Sequence, residues 1–190
     1  MAQQVILIRH GETEWSRTGR HTGRTDVPLT AEGAMRAEAI GRALQGRDIS
    51  AWTSPLKRAR GTCRLAGFAD SARVDDDLRE WGYGAYEGRT TLEIRRETPE
   101  WSVWLSPIVN GESLDEVADR ARRVIAQASQ SDGDVALFSH GHMLRILAAC
   151  WIGLPPGTGR FLALDTASIS VLGYERQTRV IRSWNSAPAE

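Results

Sequence analysis

The strand-like runs Val5-Ile-Leu-Ile8 and Asp134-Val-Ala-Leu-Phe138 decide the fold class, because each leads into a histidine followed by a glycine. The first continues as Arg9-His10-Gly11 and the second as Ser139-His140-Gly141. Short, continuous apolar runs are typical of strands buried on both faces. The carboxyl ends of parallel strands meet at one edge of a sheet, where ligands bind. We therefore expect the two histidines to converge on one site.

Helix and strand patterns alternate along the rest of the chain. Further strands are expected in four segments: 49–53, a short one ending at 74, 168–172 and 178–184. Helices are expected in six: 31–44, 54–66 with proline near its start, 92–98, 100–105, 113–128 and 142–151. This alternation predicts a three-layer α/β/α architecture, with a mostly parallel central sheet and an antiparallel edge strand.

Length and composition set the remaining boundaries. The 190 residues suit a single domain, and residues 82–111, rich in Gly, Trp and Pro, are expected to form a short cap insert over one end of the sheet. The 24 basic and 24 acidic residues give no net attraction to nucleic acid or to acidic membranes. We therefore expect no nucleic-acid partner and no membrane association, and a homodimer is one assembly that remains open.

The N-terminal residues enter the first strand without a basic segment or an apolar signal core, and no apolar run approaches the length of a membrane span. A cytoplasmic location is the expectation. Cys63 and Cys150 lie in apolar helical patterns and have no metal-ligand spacing to another Cys or His. They are interpreted as buried free thiols.

His10 has the sequence setting of a phosphoryl-accepting nucleophile. A neutral imidazole attacks phosphorus through one ring nitrogen when the other nitrogen holds its proton against an acceptor. Gly11 allows the backbone to approach a phosphate closely. A strand-end histidine with a purely structural hydrogen bond is the alternative. The second His-Gly pair, at His140, favours the functional interpretation.

Arg9 and Arg58 supply planar donor groups suited to phosphate oxygens. Arg9 follows a buried strand, where a charge without an anionic partner is costly. Arg58 lies in the first turns of a predicted helix, whose dipole favours an anion. Three further basic residues of that helix are interpreted as a solvated face: Lys57, Arg60 and Arg64.

Glu80 stands between the acidic run 75–77 and the aromatic stretch 81–83. Partial burial beside aromatic rings favours the protonated carboxyl group that donates to a leaving alkoxide. A surface glutamate or a structural ion pair is the alternative. The acidic run is interpreted as solvated rather than as a metal site, because adjacent carboxylates on an extended segment alternate in direction.

The remaining histidines and the tryptophans have simpler interpretations. His142 is placed to line the pocket or to cap the next helix, and His21, on a polar loop, is expected to be exposed. A zinc site from His10, His140 and His142 is disfavoured because flanking arginines repel a cation, so no metal is predicted. Trp101 and Trp104 are expected to pack the insert onto the domain.

The run Leu7-Ile8-Arg9-His10-Gly11-Glu12-Thr13-Glu14-Trp15 resembles the signature of the histidine phosphatase superfamily, whose best-known branch is the cofactor-dependent phosphoglycerate mutases. The resemblance continues in order through six further blocks: 22–26, 28–30, 53–59, 78–80, 111–113 and 139–141. It implies that His10 becomes phosphohistidine and that Glu80 is the proton donor. It also implies that Arg9, Arg58 and His140 bind phosphoryl oxygens, and we expect His140 to be protonated when it does so.

The same resemblance suggests substrate contacts at six positions: Ser16, Thr22, Gly23, Tyr83, Gly141 and His142. Ser16 and His142 stand where the mutases commonly carry asparagine. The stretches 13–23 and 75–88 resemble the branch that contains sedoheptulose bisphosphatase and small bacterial acid phosphatases.

Only about 22 residues separate Gly88 from Gly111, whereas mutases carry a longer segment that shields phosphohistidine from water. A short insert suits the entry of water. We therefore expect a phosphomonoester hydrolase acting on small phosphorylated metabolites, such as sugar phosphates, without a cofactor. One alternative is a phosphoglycerate mutase that needs 2,3-bisphosphoglycerate, and another is a non-catalytic phosphate-binding protein.

Overall fold

The structure, a computed structural model, describes residues 3–188 and is built on a six-stranded sheet. The strands are β1 (Val5–Arg9), β2 (Ile49–Thr53), β3 (Arg73–Val74), β4 (Asp134–Ser139), β5 (Ile169–Glu175) and β6 (Thr178–Ser186). Their order across the sheet is β3-β2-β4-β1-β5-β6. The first four strands of the chain run parallel, β5 is antiparallel to β1, and β6 is antiparallel to β5. The predicted architecture, mostly parallel with an antiparallel edge, is confirmed.

The helices are α1 (Glu14–Arg17), α2 (Ala31–Leu44), α3 (Lys57–Cys63), α4 (Thr91–Glu97), α5 (Leu114–Ala128) and α6 (Gly141–Trp151). The N-cap residues of α2, α4 and α5 are Thr30, Thr90 and Ser113, whose side chains accept a hydrogen bond from a backbone N–H of the first turn. These caps satisfy donors that a helix start leaves free. Within residues 3–188, no helix combines the length and the apolar character needed to cross a bilayer.

Alternate residues of β1 build the cores on the two faces of the sheet. Val5 and Leu7 pack in a buried cluster with α5 and α6, whereas Ile6 and Ile8 pack in another with α2 and α3. All four side chains are buried, because successive side chains of a strand point to opposite faces. The three layers follow from this alternation, and they fix β1 and β4 at the centre of the molecule.

Of the expected helices, one begins later in the chain than expected and another is not formed. Helix α3 begins at Lys57 rather than at Pro55, because Asp26, from a distant loop, accepts the Lys57 backbone N–H at 2.7 Å and caps the helix there. Residues 100–105 form turns instead of a helix. There the Ser106 hydroxyl accepts the Ser102 N–H at 3.0 Å, a local bond that competes with helix formation.

The acidic run also differs from its interpretation as a solvated segment. Asp75 is only 8% exposed, and its carboxylate accepts the Asp77 N–H at 2.9 Å and pairs with Arg73 at 3.0 Å. Asp77 pairs with Arg123 on α5, and the hydrogen bond from Arg123 lowers the pKa of Asp77. Only Asp76 remains exposed, so this segment is a structural junction rather than a free acidic surface.

The two ends of the predicted insert, residues 82–111, lie side by side. The Glu112 N–H donates to the Gly82 carbonyl at 2.9 Å, and the Gly82 N–H donates to the Glu112 carboxylate at 2.7 Å. Gly84 has φ 49°, and a Cβ there would lie 2.1 Å from the Val109 carbonyl, so only glycine fits. The insert carries α4, and its Trp101 is buried.

Candidate active site

The strand register brings the two His-Gly turns side by side. Strands β1 and β4 are adjacent and parallel, with Arg9 opposite Ser139. The next residues, His10 and His140, have ring centroids 5.2 Å apart. The expected convergence of the two histidines at one edge of the sheet is therefore present.

His10 is held as a neutral imidazole with one reactive nitrogen. Its Nδ1 lies 2.7 Å from the Gly11 carbonyl oxygen, which can only accept, so Nδ1 carries the proton and Nε2 keeps its lone pair. Burial and the charges of Arg58 and Arg9 lower the pKa of His10 well below its ordinary value. The side chain, only 4% exposed, forms part of the cavity wall. This is the state that a nucleophilic imidazole requires.

Arg9 places a guanidinium group with spare donor capacity beside His10. One terminal nitrogen donates to the Leu164 carbonyl, whereas Nε is buried and has no hydrogen-bond partner within residues 3–188. Gly141, the first residue of helix α6, lies against this group, and a Cβ there would be 3.4 Å from it. An unpartnered buried N–H on a cation is costly unless an anion meets it.

Arg58 is fully buried and holds a loop as well as His140. Its terminal nitrogens donate to the carbonyl oxygens of Thr22 (2.9 Å), Gly23 (2.9 Å) and Thr25 (3.0 Å). Its Nε donates to Nδ1 of His140 at 3.1 Å. The sequence pattern predicted the position of Arg58 at the site but not these four bonds.

The expected protonated His140 is wrong in this structure. Its Nδ1 accepts a hydrogen bond from Arg58, so that nitrogen carries no proton, and Nε2 donates to the Ser54 hydroxyl at 2.8 Å. Burial, followed by the Arg58 charge, lowers the pKa of His140 well below its ordinary value. Both ring nitrogens are therefore engaged, and the ring is fully buried.

Glu80 joins the cavity to the start of α6. Its carboxylate accepts the backbone N–H groups of Trp81 (3.0 Å), His142 (3.1 Å) and Met143 (2.9 Å). It thereby caps a helix whose own N-cap residue, His140, supplies no side-chain cap. All three contacts use the carboxyl group as an acceptor, so they do not select the protonated form expected from the aromatic surroundings. Glu80 is 6% exposed.

A cavity of about 220 Å³ opens at this edge of the sheet. Eight of the residues predicted for the site line it: Arg9, His10, Ser16, Thr22, Glu80, Tyr83, Gly141 and His142. The other three, Gly23, Arg58 and His140, lie behind its wall, joined by the Arg58 hydrogen bonds. The solvated-face interpretation of Lys57, Arg60 and Arg64 agrees with their exposure.

The predicted substrate contacts have local hydrogen bonds of their own. Ser16 forms a capping box with Thr13 at the start of α1, and the Thr22 hydroxyl donates to the Arg20 carbonyl at 3.0 Å. The Tyr83 hydroxyl lies 2.7 Å from Nδ1 of His142. Burial raises the pKa of Tyr83 and lowers that of His142, so the phenol donates and the imidazole accepts.

His21 was expected to be exposed, and that expectation is wrong. The ring lies in the cavity wall, 5.0 Å from the Tyr83 ring and 5.3 Å from the Trp101 ring. Burial lowers its pKa to about 4. Its covering residues come from the insert, about 60 to 80 residues further along the chain, so no local pattern signals this burial.

Arg145 and Arg20 also line the cavity and were missed. Arg145 follows His142 by three residues on α6, so both lie on one helical face, and that spacing is the signal that could have identified it. Its Nε donates to the Gly159 carbonyl at 3.0 Å, and its guanidinium lies 4.7 Å from the Trp104 ring centroid. Arg20 contacts Glu93 of the insert at 3.4 Å.

Metal ligands are not assembled in the part of the chain that the structure describes. No three His, Cys, Asp or Glu side chains there come together in a way that would hold a metal ion. Cys63 and Cys150 are free thiols, and burial raises the pKa of Cys63 to about 12.

Comparison with known proteins identifies the family. A model of the histidine phosphatase superfamily (branch 1) matches residues 5–187. An acid phosphatase of Mycobacterium tuberculosis is 41% identical over 93% of this chain and 89% of its own length. A sedoheptulose 1,7-bisphosphatase of Saccharomyces cerevisiae is 40% identical over 81% of this chain and 69% of its own.

Structural comparison agrees. A solved structure of an open reading frame product from Mycobacterium tuberculosis is 40% identical, with a TM-score of 0.92 over 98% of this chain and 99% of that one. The chain belongs to the histidine phosphatase superfamily and is an enzyme of the phosphatase class.

Proposed function

We propose that this enzyme hydrolyses monoesters of small phosphorylated metabolites, such as sugar phosphates, through a phosphohistidine at His10. One observation carries the proposal: Nδ1 of His10 is held by the Gly11 carbonyl, which leaves the Nε2 lone pair available in a wall shared with Arg9. The acid phosphatase and bisphosphatase relatives support the hydrolytic activity.

Binding begins with the charge of the phosphate dianion. The free donors of Arg9 and the N-terminal end of α6 at Gly141 attract its oxygens. Each charge-assisted hydrogen bond contributes about 1.5–3 kcal/mol. In the structure Arg58 Nε donates to His140, and a phosphoryl oxygen is a stronger acceptor than an imidazole. We propose that the substrate takes over this donor, and that His140 then turns a proton towards the phosphoryl group.

Transfer proceeds in two balanced steps. The Glu80 carboxylate takes up a proton from solvent when the phosphate dianion enters beside it. Nε2 of His10 then attacks phosphorus in line, an N–P bond forms, the ester P–O bond breaks, and Glu80 gives its proton to the leaving oxygen. Water then attacks the phosphohistidine and the N–P bond breaks. Glu80 takes a proton from that water and returns it to solvent as phosphate leaves, so both side chains return to their starting states. The arginines spread the transition-state charge, which is the main catalytic task in this reaction.

The cavity also favours a class of substrate. Beyond the phosphoryl-binding end, Arg20 and Arg145 supply donors, and the Tyr83–His142 pair supplies a polar contact. A volume of about 220 Å³ and these donors suit a compact, polar leaving group. We propose that the enzyme acts in the cytoplasm on such molecules without a metal or cofactor, and that neither nucleic acid nor a membrane is a partner. A homodimer remains a prediction.

The test is a panel of phosphorylated metabolites assayed for release of inorganic phosphate. The panel includes sugar mono- and bisphosphates and nitrophenyl phosphate, and the His10→Ala variant is the control for turnover at this site. We expect phosphate release from several sugar phosphates. Absence of turnover across the panel would instead support the non-catalytic binding protein.

A second arm separates hydrolase from mutase. The enzyme is incubated with 3-phosphoglycerate, with and without 2,3-bisphosphoglycerate. A hydrolase releases phosphate without the primer, whereas a mutase yields 2-phosphoglycerate only when primed. Formation of 2-phosphoglycerate as the main product would overturn the proposed hydrolysis.

A further inference from the structure

We propose that Thr62 is a positioning residue that fixes the tautomer of His10 by anchoring the Gly11 backbone. The inference rests on the proposed function in one respect, because it takes His10 as the nucleophile. Thr62 touches neither the cavity nor the reacting atoms. It acts through Gly11, whose carbonyl oxygen holds the proton on Nδ1 of His10.

The contacts form a continuous buried chain from α3 to the nucleophile. The Thr62 hydroxyl donates to the Arg58 carbonyl at 2.8 Å and accepts the Gly11 N–H at 2.9 Å. At the other end of Gly11, the carbonyl oxygen accepts the proton of His10 Nδ1 at 2.7 Å. Thr62 is 0% exposed, so no water competes for these bonds.

Gly11 needs such an anchor because it is the most flexible residue of the turn. The His10 N–H donates to the Ser139 carbonyl at 3.0 Å. The His10 carbonyl and the Gly11 N–H form one planar peptide unit, which is held at its oxygen by the Ala167 N–H at 3.0 Å and at its nitrogen by Thr62 at 2.9 Å. Beyond this point the chain leaves the sheet. A glycine has many accessible backbone angles. Without the Thr62 hydroxyl this peptide unit is held at one end only, so rotation about the Gly11 backbone can turn the Gly11 carbonyl away from His10.

A side chain at residue 11 is not an available alternative for restricting the turn. A Cβ on Gly11 would lie 2.3 Å from the Gly33 carbonyl oxygen of α2. The turn after β1 therefore needs glycine at residue 11 to lie this close to the start of α2, and this glycine makes the backbone of the turn flexible. The Thr62 hydroxyl restores order by a hydrogen bond rather than by side-chain bulk.

The position of Thr62 also connects the two parts of the proposed phosphoryl-transfer site. It follows Arg58 by four residues, so both lie on the same face of α3. One helix thus supplies the guanidinium that contacts His140 and the hydroxyl that orients the His10 turn. Hydrogen bonds that orient histidine ligands at metal sites are typically worth about 10–100-fold in activity, and we expect the same order for this bond, which also orients a reactive histidine.

The experiment compares Thr62→Val, which keeps the shape and removes the hydroxyl, with Thr62→Ser, which keeps the hydroxyl. We expect Thr62→Val to lower kcat and the single-turnover rate of phosphohistidine formation about 10–100-fold, with little change in KM. Thr62→Ser should restore most of the rate. In nitrogen-15 NMR spectra recorded without substrate, wild-type and Thr62→Ser proteins should show His10 protonated at Nδ1, and Thr62→Val a mixture of tautomers.

Cys63→Ala is the matched control, because Cys63 is the next residue of α3 and is buried in the core on the α2 side. It should lower stability while leaving the His10 tautomer and kcat unchanged. Wild-type kcat in folded Thr62→Val, or an unchanged tautomer in it, overturns the proposal. Equal kcat losses in Thr62→Val and Thr62→Ser do so as well.

If Thr62→Val does not fold, Thr62→Cys takes its place, since a thiol is a weak acceptor. Its kcat should then fall below that of Thr62→Ser, and equal values overturn the inference. Failure of the proposed function looks different. In that case wild-type protein forms no phosphohistidine, while the NMR comparison still reports whether Thr62 sets the tautomer.

Discussion

The turns after β1 and β4 have the same form, a histidine followed by a glycine, yet they hold their imidazoles in opposite ways. His10 has one nitrogen bound to the adjacent Gly11 carbonyl and the other available at the cavity. His140 has both nitrogens engaged, by Arg58 and Ser54, and is fully buried. The difference lies in the partners, since both rings are buried and neutral.

This comparison shows how one local motif supports two tasks. At His10, the carbonyl of the next residue holds the proton on Nδ1 and leaves the Nε2 lone pair free to attack. At His140, the Arg58 guanidinium from a distant helix donates to Nδ1, the ring nitrogen that carries the lone pair. The proposed roles fit this division: His10 attacks, and His140 binds the phosphoryl group once the substrate has taken over the Arg58 donor. The variants below test this division.

His10→Ala should have the largest effect. Removal of the nucleophile should lower kcat by about 10⁴-fold or more and abolish acid-labile phosphate on the protein. The measurement is steady-state phosphate release together with trapping of labelled phosphoprotein. Circular dichroism checks that the variant is folded. If the variant still forms phosphoprotein, the nucleophile is a residue other than His10, and the proposed difference in role between His10 and His140 is wrong.

Glu80→Gln should slow substrates with poor leaving groups by about 10²–10⁴-fold, because the amide cannot give a proton to the alkoxide. Nitrophenyl phosphate, whose leaving group needs little protonation, should lose much less. The ratio of the two rates is the measurement. The amide oxygen retains an acceptor for the start of α6, so a similar loss on both substrates would point to helix capping rather than to proton donation.

His140→Ala should lower kcat by about 10²-fold, since one stabilising group is lost from the transition state. Labelled phosphate should still appear on His10, more slowly than in wild type, in rapid-quench experiments. Ser54→Ala is the companion variant, because it frees Nε2 of His140 and leaves the ring in place. Complete loss of phosphoprotein in His140→Ala would mean that the two histidines are not functionally distinct.

Arg145→Met should raise KM about tenfold for substrates with a second anionic group and change kcat little. It removes a cavity-lining charge but keeps an apolar body for contact with Trp104. The measurement is KM for a sugar bisphosphate against a matching monophosphate. Arg122→Met, on the exposed face of α5, is the control. An equal rise in KM for both substrates would mean that Arg145 does not select between them.

Acidification should lower the stability of the fold rather than change the chemistry at the site, and His21 makes this loss measurable. The pKa of His21 is about 4 in the folded protein, below the unfolded value near 6.5, so the unfolded state binds a proton first. Stability contributed by the neutral ring is therefore present above pH 6.5 and is lost as pH falls. At pH 5 the loss is about 2 kcal/mol. Urea unfolding at pH 7 and 5 should show a smaller drop for His21→Gln than for wild type.

The parts of the fold that follow local patterns could be predicted from the sequence. The apolar alternation of β1 and the caps at Thr30 and Ser113 are set by neighbouring residues, and the structure agrees with them. The start of α3 could not be predicted, because Asp26 caps it from about 30 residues away. The neutral state of His140 likewise depends on Arg58, a contact made only after the chain has folded.

The candidate site divides in the same way. His10, Arg9 and Glu80 stand next to recognisable strands and motifs, and all three line the cavity. The second function of Glu80, as the cap of α6, arises from a helix that begins about 60 residues later. His21 was misjudged because its neighbours belong to the insert.

The hydrogen bonds that join the two ends of the insert affect how freely its sequence can change. Gly82 and Glu112 are bound to each other twice, and the Trp81 indole N–H also donates to the Glu112 carbonyl at 2.7 Å. Because these hydrogen bonds fix the two ends of the segment to each other, its sequence between them can change without displacing the strands beneath it. Changes within this segment, which supplies Tyr83 to the cavity, can therefore alter substrate selection while the residues at the end of the sheet stay in place.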